Sequence, residues 1–346
     1  MTDLRRRAAT LEDVAREAKV SRATASRVIR GESNVSPAAS KAVDRAVKKL
    51  GYVPNHAARS LATRRSSNIL VIVAEPDTRI FTDPFFATAV AGVAQVLETT
   101  PYTLNMMMRS HDFLPKLERY LASGLADGVV VISHHRSDGL PQLFERIGVP
   151  YQFVGRPVDL DQLSDNGDFS AHRRYVDTDN FTGGKLVAQL LAERGVKNPA
   201  MIGGPNDMAA AIDRRLGFFE GLRAHGYPKP PYYVGDFSTE GARSAAEQIV
   251  TEHPEVDGIF AASDTMAAAA IGTLTSLGRV VPDDVAVVGF DNSHISNAVS
   301  PRITTFTNSG LDLATRATQR LMDELKGVMP TEAEIIVPQE VRRESA

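Results

Sequence analysis

The 346-residue chain contains no cysteine. That excludes disulfides, thiolate nucleophiles and thiolate-held metals. No apolar run is long enough to cross a bilayer. The opening MTDLRRRAAT is basic and polar and lacks the apolar core of an export signal, so a cytoplasmic protein is expected. No nucleophile elbow, P-loop or Rossmann fingerprint occurs, because the glycines of GGPNDM and FTGGK lack the required spacing. Nothing here therefore points to an enzyme or to a cofactor. No leucine heptads follow IIVPQEVRRESA, so a dimer is expected rather than a coil-built tetramer.

What is present is unevenly distributed. The net charge of −3 conceals a division. Residues 1–65 hold 15 of the 39 Lys and Arg but only 6 of the 42 Asp and Glu. A basic head on an acidic body suggests a nucleic-acid module on a separate globular unit. The length also exceeds what one hydrophobic core usually serves.

The basic head has helical patterning. In TLEDVAREAKV, Leu11, Val14, Ala15 and Ala18 fall on one face, and Thr10 with Asp13 resembles a capping box. After a short turn, Ser21 can cap a second helix, RATASRVIR, whose Ala25, Val28 and Ile29 face inward. Gly31 is a plausible stop. A third helix opens at Ser36–Pro37, buries Val43, Val47 and Leu50, and ends at Gly51. Two helices with so short a turn, then a third, predict a helix-turn-helix module. Its second helix would enter the major groove. Arg22 and Arg27 can reach guanine edges there, and Ala23 allows close approach. Thr10, Ser21, Thr24 and Ser26 complete the expected DNA-facing set. Next, Asn55 can cap a short helix to about Ala62, containing Ala58 and Leu61. A helix so short is marginal alone. It can serve as a hinge that folds on DNA and wedges Leu61 into the minor groove.

From Ser67 onward, strands alternate with helices: NILVIVAE, YTLNMMM, DGVVVIS, PYQFVG and YVDTD, then PAMIGG, YYVGDF, GIFAAS and VAVVGFD. This predicts parallel sheets covered on both faces, best arranged as two doubly wound subdomains. Ligands of such sheets bind beyond the carboxyl ends of the strands. Residues in those places include Asp77, Phe81, Asp83, Phe85, Phe86, His134, Arg156, Phe237, Asp264 and Asp291. Carboxylates, amides, arginines and aromatic faces together suit a hydroxyl-rich ligand. Adjacent His134 and His135 lack an apparent third ligand, so no metal is expected.

TLEDVAREAKVSRATASRVIRG, VSPAASKAVDRAVKKLGYVPNHAARSLAT and the terminal VRRES resemble the LacI/GalR family of bacterial transcription regulators. The resemblance implies an all-α helix-turn-helix domain with hinge helix, residues 1–65, before a periplasmic-binding-protein-like α/β core, residues 66–346. It places the first subdomain at about 66–177 and 307–333, and the second at about 178–306 and 334–346. Recognition-helix roles fall on Arg22, Ala23 and Arg27, and hinge roles on Asn55, Ala58 and Leu61. DPFF looks like the first-subdomain contact loop. Arg214, three residues before Gly217, occupies the effector-binding arginine position. Asp291, Asn308 and, more loosely, Phe237 match effector-contact positions. Met208 and Ala210 depart from the polar residues of purine- and galactoside-binding members. The implied partners are palindromic operator DNA, a second copy of the chain, and a small-molecule effector such as a sugar or polyol. A nucleoside effector, or a carbohydrate-processing enzyme with a basic appendage, remains open at this level.

Overall fold

The computed structural model describes residues 9–29, 34–52, 65–75, 77–158 and 173–346. The chain divides into two compact units, Met1–Ser66 and Ser67–Ala346.

In the first unit, α1 (Leu11–Ala18) begins at a complete Thr10–Asp13 capping box and ends on Lys19 in the left-handed region. The α2 helix (Arg22–Ile29) follows almost at once, its Thr24 amide donating to Ser21 Oγ at 3.1 Å. The α3 helix (Pro37–Leu50) starts under Ser36 and stops at left-handed Gly51. Val14, Ala15, Ala18, Ala25, Val43 and Ala46 form the core, and Leu11, Val28, Ile29, Val47 and Leu50 flank it half-buried. The central alanines let three short helices pack closely. The Gly31 stop and the hinge residues Asn55, Ala58 and Leu61 lie outside the described residues.

In the second unit, β1 (Asn68–Val73), β2 (Thr103–Met108), β3 (Gly128–Ile132), β4 (Tyr151–Val154) and β5 (Tyr175–Thr178) pair in parallel, in the order 2-1-3-4-5. A second parallel sheet orders β6 (Pro199–Gly203), β7 (Tyr232–Val234), β8 (Gly258–Ala261) and β9 (Ala286–Val288) as 7-6-8-9. Each sheet supports one lobe. The β1 strand shows why its run is apolar throughout. Ile69, Val71 and Val73 pack on one face, while Leu70 and Ile72 pack on the other. Both faces are covered, so every residue must be apolar.

Helices fill the connections. The first lobe carries α4 (Asp77–Thr82), α5 (Pro84–Leu97), α6 (Phe113–Ala122) and α7 (Leu140–Ile147). The second carries α8 (Asn180–Glu193), α9 (Ala209–Ala224), α10 (Thr239–Glu252), α11 (Asp264–Ser276) and the short α12 (Ile295–Ala298). The chain crosses between lobes three times. It leaves after β5 and returns beyond β10 (Thr305–Phe306) to build α13 (Gly310–Leu325) against β3, β4 and β5. The family resemblance places the last crossing at about residue 334. Instead β11 (Glu334–Ile336) pairs in parallel with β5 and extends the first sheet. The crossing follows it, and β12 (Glu340–Val341) then pairs with β10.

Candidate functional site

Both sheets present their carboxyl ends to one crevice. This is where a doubly wound sheet leaves room, since neighbouring connections depart to opposite faces. A cavity of about 80 Å³ lies there. It gathers Asp83, Phe85, His134, Arg156, Arg214, Phe237, Asp291 and Asn308 from loops far apart in sequence.

Arg214 projects from α9 and is 3% exposed. Its Nε donates to Asn180 Oδ1 at 2.9 Å and its Nη1 to the Ala262 carbonyl at 2.6 Å. Its guanidinium lies 3.9 Å from the centre of the Phe290 ring and 3.5 Å from Asp291 Oδ1. Asp291 also accepts from Asn308 Nδ2 at 2.8 Å, and Asn308 Oδ1 accepts from Thr178 Oγ1. Arg156 reaches both Asp213 oxygens, at 2.7 and 2.9 Å. Asp83 caps α5. Phe86 is buried and Phe85 half-buried, and both line the cavity.

His134 is 8% exposed, and neither ring nitrogen has a partner. Burial pushes its pKa down to about 4, so the ring is neutral at pH 7. The neutral ring therefore offers the cavity one donor and one acceptor nitrogen.

Phe81 and Asp264, both expected at the crevice, do not line the cavity, and the Asp77 side chain lies outside the described residues. Phe81 stands on the outer side of α4, 76% exposed. Asp264 is buried behind the wall, where Oδ1 accepts from Thr305 Oγ1 and Oδ2 from the Ser293 amide, both at 2.6 Å. Ser263 caps α11 and lines the cavity in its place. Asp264 thus ties α11 to the loop after β9. Gly289 makes this possible, since a Cβ there would meet Asp264 Oδ1 at 2.4 Å.

Arg79 and Asp177 also line the cavity, though nothing in the sequence singles them out. Arg79 rises from α4, pairs with Glu75 at 2.7 Å, and lies over Phe86 of its own lobe and Phe237 of the other. Asp177 sits inside β5 and accepts from the Arg156 and Thr178 amides. In the sequence, Arg79 stands four residues before Asp83. The glycines of GGPNDM make room: a Cβ on Gly204 would enter the Phe237 ring at 2.3 Å. Of the seven non-glycine residues with positive φ among the described residues, five lie on crevice loops: Ser133, Asp236, Phe237, Asp291 and Asn292. Such strain persists where surrounding structure over-determines it, commonly at binding sites.

Burial raises the carboxyls of Asp177, Asp264 and Asp291, Asp177 to about 6. A pKa raised on folding gives stability that is full below the unfolded value and lost as pH rises through the folded one. His135, raised to about 9 chiefly by its hydrogen bond to Glu75, acts in the same direction. Neutral His134 acts oppositely, but only as pH falls below its ordinary value of 6.5. The melting temperature of the ligand-free protein should therefore rise as pH is lowered from about 9 to about 6.5. Asp291→Asn should flatten that slope. Calorimetric scans across the range check it; a wild-type slope in the variant would contradict the assignment.

In the first unit, Arg22, Ala23 and Arg27 are exposed on α2, and Thr24 and Ser26 are half-buried. Arg22 makes an exposed ion pair with Glu12 at 3.4 Å, an interaction weak enough to exchange for another partner. Thr10 and Ser21 serve as caps. Among the described helices, none is long and apolar enough to cross a membrane.

Residues 10–55 match the model of the bacterial regulatory proteins, lacI family, and residues 188–346 that of a periplasmic binding protein-like domain. The HTH-type transcriptional regulator CelR of Thermobifida fusca is 41% identical over 93% of this chain and 94% of its own. The ribose operon repressor of Halalkalibacterium halodurans is 31% identical over 92% of this chain and 90% of its own. A solved structure of a transcriptional regulator CelR–cellobiose complex is 36% identical with a TM-score of 0.75, covering 98% of this chain and 100% of that one. The Lac repressor dimer bound to operator and the anti-inducer ONPF is 23% identical with a TM-score of 0.86, covering 98% and 99%. That last likeness is one of fold.

Proposed function

Since the chain belongs to the lacI family of bacterial regulatory proteins, we propose that it represses transcription by binding a palindromic operator as a homodimer, under control of an uncharged sugar held in the crevice. The chain is a transcriptional regulator of that family. One helix-turn-helix module covers only a half-site, so a two-fold dimer matches a palindrome.

The observation carrying the sugar reading is the internal pairing of the cavity's charges. Arg79 faces Glu75, Arg156 faces Asp213, and Arg214 faces Asp291. Each cavity arginine thus already faces a carboxylate, and Asp83 and Asp177 would repel a phosphate. A neutral polyol meets no such penalty. Its hydroxyls can both donate and accept, which suits aspartates, an amide and neutral His134. Phe85, Phe86 and Phe237 supply apolar faces for ring carbons. The cellobiose complex of a relative supports a β-linked disaccharide as the first candidate. Titration calorimetry with cellobiose, glucose, ribose and glucose 6-phosphate tests the reading. Binding of an uncharged sugar is expected. Preferential binding of the phosphate would sink it.

On the DNA side, Arg27→Ala should cost about 1–3 kcal/mol of operator affinity and relax preference at one base pair, as for a lost guanine contact. Lys48→Ala should weaken all sequences alike and lower the salt slope. Fluorescence anisotropy on operator and random duplexes measures both. An unchanged affinity ratio in Arg27→Ala would show that α2 is not the reading helix.

A further inference from the structure

The two lobes also meet at a pair of charged contacts beside the cavity. His135, on the loop after β3, has Nε2 at 3.1 Å from Glu75 of its own lobe. Its Nδ1 lies 3.0 Å from Asp207 Oδ2 of the other lobe. The next amide, of Arg136, donates to the Asp207 carbonyl at 3.1 Å. The second contact joins Arg156, beyond β4, to Asp213 on α9. We propose that these contacts form a two-point clasp that holds the lobes together over a bound effector and slows its escape, with doubly protonated His135 as the central link. The effector's part in this rests on the proposed function; the contacts between the lobes do not.

The requirement for a second proton follows from geometry. A neutral imidazole has one N–H and can donate to one carboxylate. Its bare nitrogen would then face the other acid across 3.1 Å or less. An imidazolium donates to both. The surrounding charges agree. Facing His135 from its own lobe are Glu75, Asp138, which accepts from the His135 amide, and neutral His134. Arg79 binds Glu75 and Arg109 binds Asp138. Asp207 faces it from the second lobe. Three acids and two arginines leave one negative charge that the imidazolium offsets. The Glu75 hydrogen bond and charge hold the second proton to about pH 9 despite burial. The clasp should therefore be complete below about 6.5, the ordinary value, and be lost as pH rises through about 9.

The test uses the full-length protein and its Asp207→Ala/Asp213→Ala form. Both acids are partly exposed, and a melting curve verifies folding. Amide hydrogen exchange of the ligand-free proteins at one pH is followed in peptides spanning residues 134–136 and 154–156. Exchange there should be roughly tenfold faster in the variant, as for truncated ion pairs at an interface. Unchanged exchange would overturn the clasp. With cellobiose as probe, stopped-flow dissociation should quicken in the variant. In wild type it should quicken as pH rises through about 9, whereas His135→Gln should be fast and lack that step. A wild-type rate that ignores pH over that range would remove His135 as the link. Absence of cellobiose binding would count against the sugar proposal alone, since the exchange measurement decides the clasp without a ligand.

Discussion

Arg214→Ala should lower effector affinity by at least about tenfold, the equivalent of 1.4 kcal/mol, while operator affinity stays at the wild-type level. The guanidinium lines the cavity and also organises it. Its removal strips a donor from Asn180 Oδ1 and from the Ala262 carbonyl, and uncovers the Phe290 face. It also leaves Asp291 in the wall without its cation. Breaking a buried pair by removing one partner commonly costs about 3–5 kcal/mol. The cost here should fall towards the low end. Burial already raises the Asp291 carboxyl, so it can take a proton instead of remaining a bare charge. The helix-turn-helix unit has its own core, without any residue of the crevice. The expected phenotype is thus a regulator whose ligand-free operator affinity is that of wild type and which needs at least about tenfold more effector to respond. Calorimetry and operator anisotropy, with a melting curve beside them, read the three quantities separately. Wild-type effector affinity in a folded Arg214→Ala protein would show that the ligand does not touch this wall.

Gly217→Ala should destabilise the core by about 3 kcal/mol, the upper end for overpacking. A Cβ at Gly217 would stand 1.9 Å from the Phe181 carbonyl oxygen. Across the same seam, a Cβ on Gly184 would stand 2.2 Å from the Arg214 carbonyl. The obstructing atoms are backbone, so no rotamer change relieves them. The helices α8 and α9 must separate or shift. The α9 helix carries both Asp213 and Arg214, so a shift would also disturb the cavity and the Arg156 contact. Gly272 is the control. It lies within α11 with no atom within 4 Å of its Cβ position. Gly272→Ala should be neutral or stabilise by about 0.5–1 kcal/mol through helix propensity. Urea unfolding of the two variants gives the contrast. Equal stability of Gly217→Ala and wild type would mean that the helices are not in backbone contact.

The parts of this molecule that follow from local rules were legible in the sequence. Thr10, Ser21, Ser36 and Gly51 cap or end their helices through hydrogen bonds and backbone angles set by near neighbours. Alternating βα segments dictate covered parallel sheets, and strand ends point to the crevice. The misses have another origin. Arg79 became a cavity residue because Phe86 and Phe237, from different lobes, close around it. No spacing encodes that meeting. Asp264 follows a strand as Asp291 does, but Ser263 takes the cap, and the next side chain turns inward to Thr305 and Ser293. Phe81 and Phe86 are alike in the sequence. The register of two successive helices leaves one outside and one buried. The β11 strand has three residues of mixed exposure, and its partner lies about 160 residues earlier along the chain, well beyond any periodic signal.

If one chain couples sequence-specific DNA binding to occupancy of the crevice by an uncharged sugar, operator affinity must depend on that sugar. The most direct measurement is operator affinity of the full-length protein, at fixed salt, with and without saturating cellobiose. The operator would be a duplex enriched from random sequence by the protein itself. The expected result is a two-fold symmetric enriched site whose affinity shifts by about 5–150-fold on adding sugar, the usual span of allosteric coupling. An enriched site without symmetry, or a symmetric one whose affinity ignores cellobiose and every other uncharged sugar tried, would contradict it.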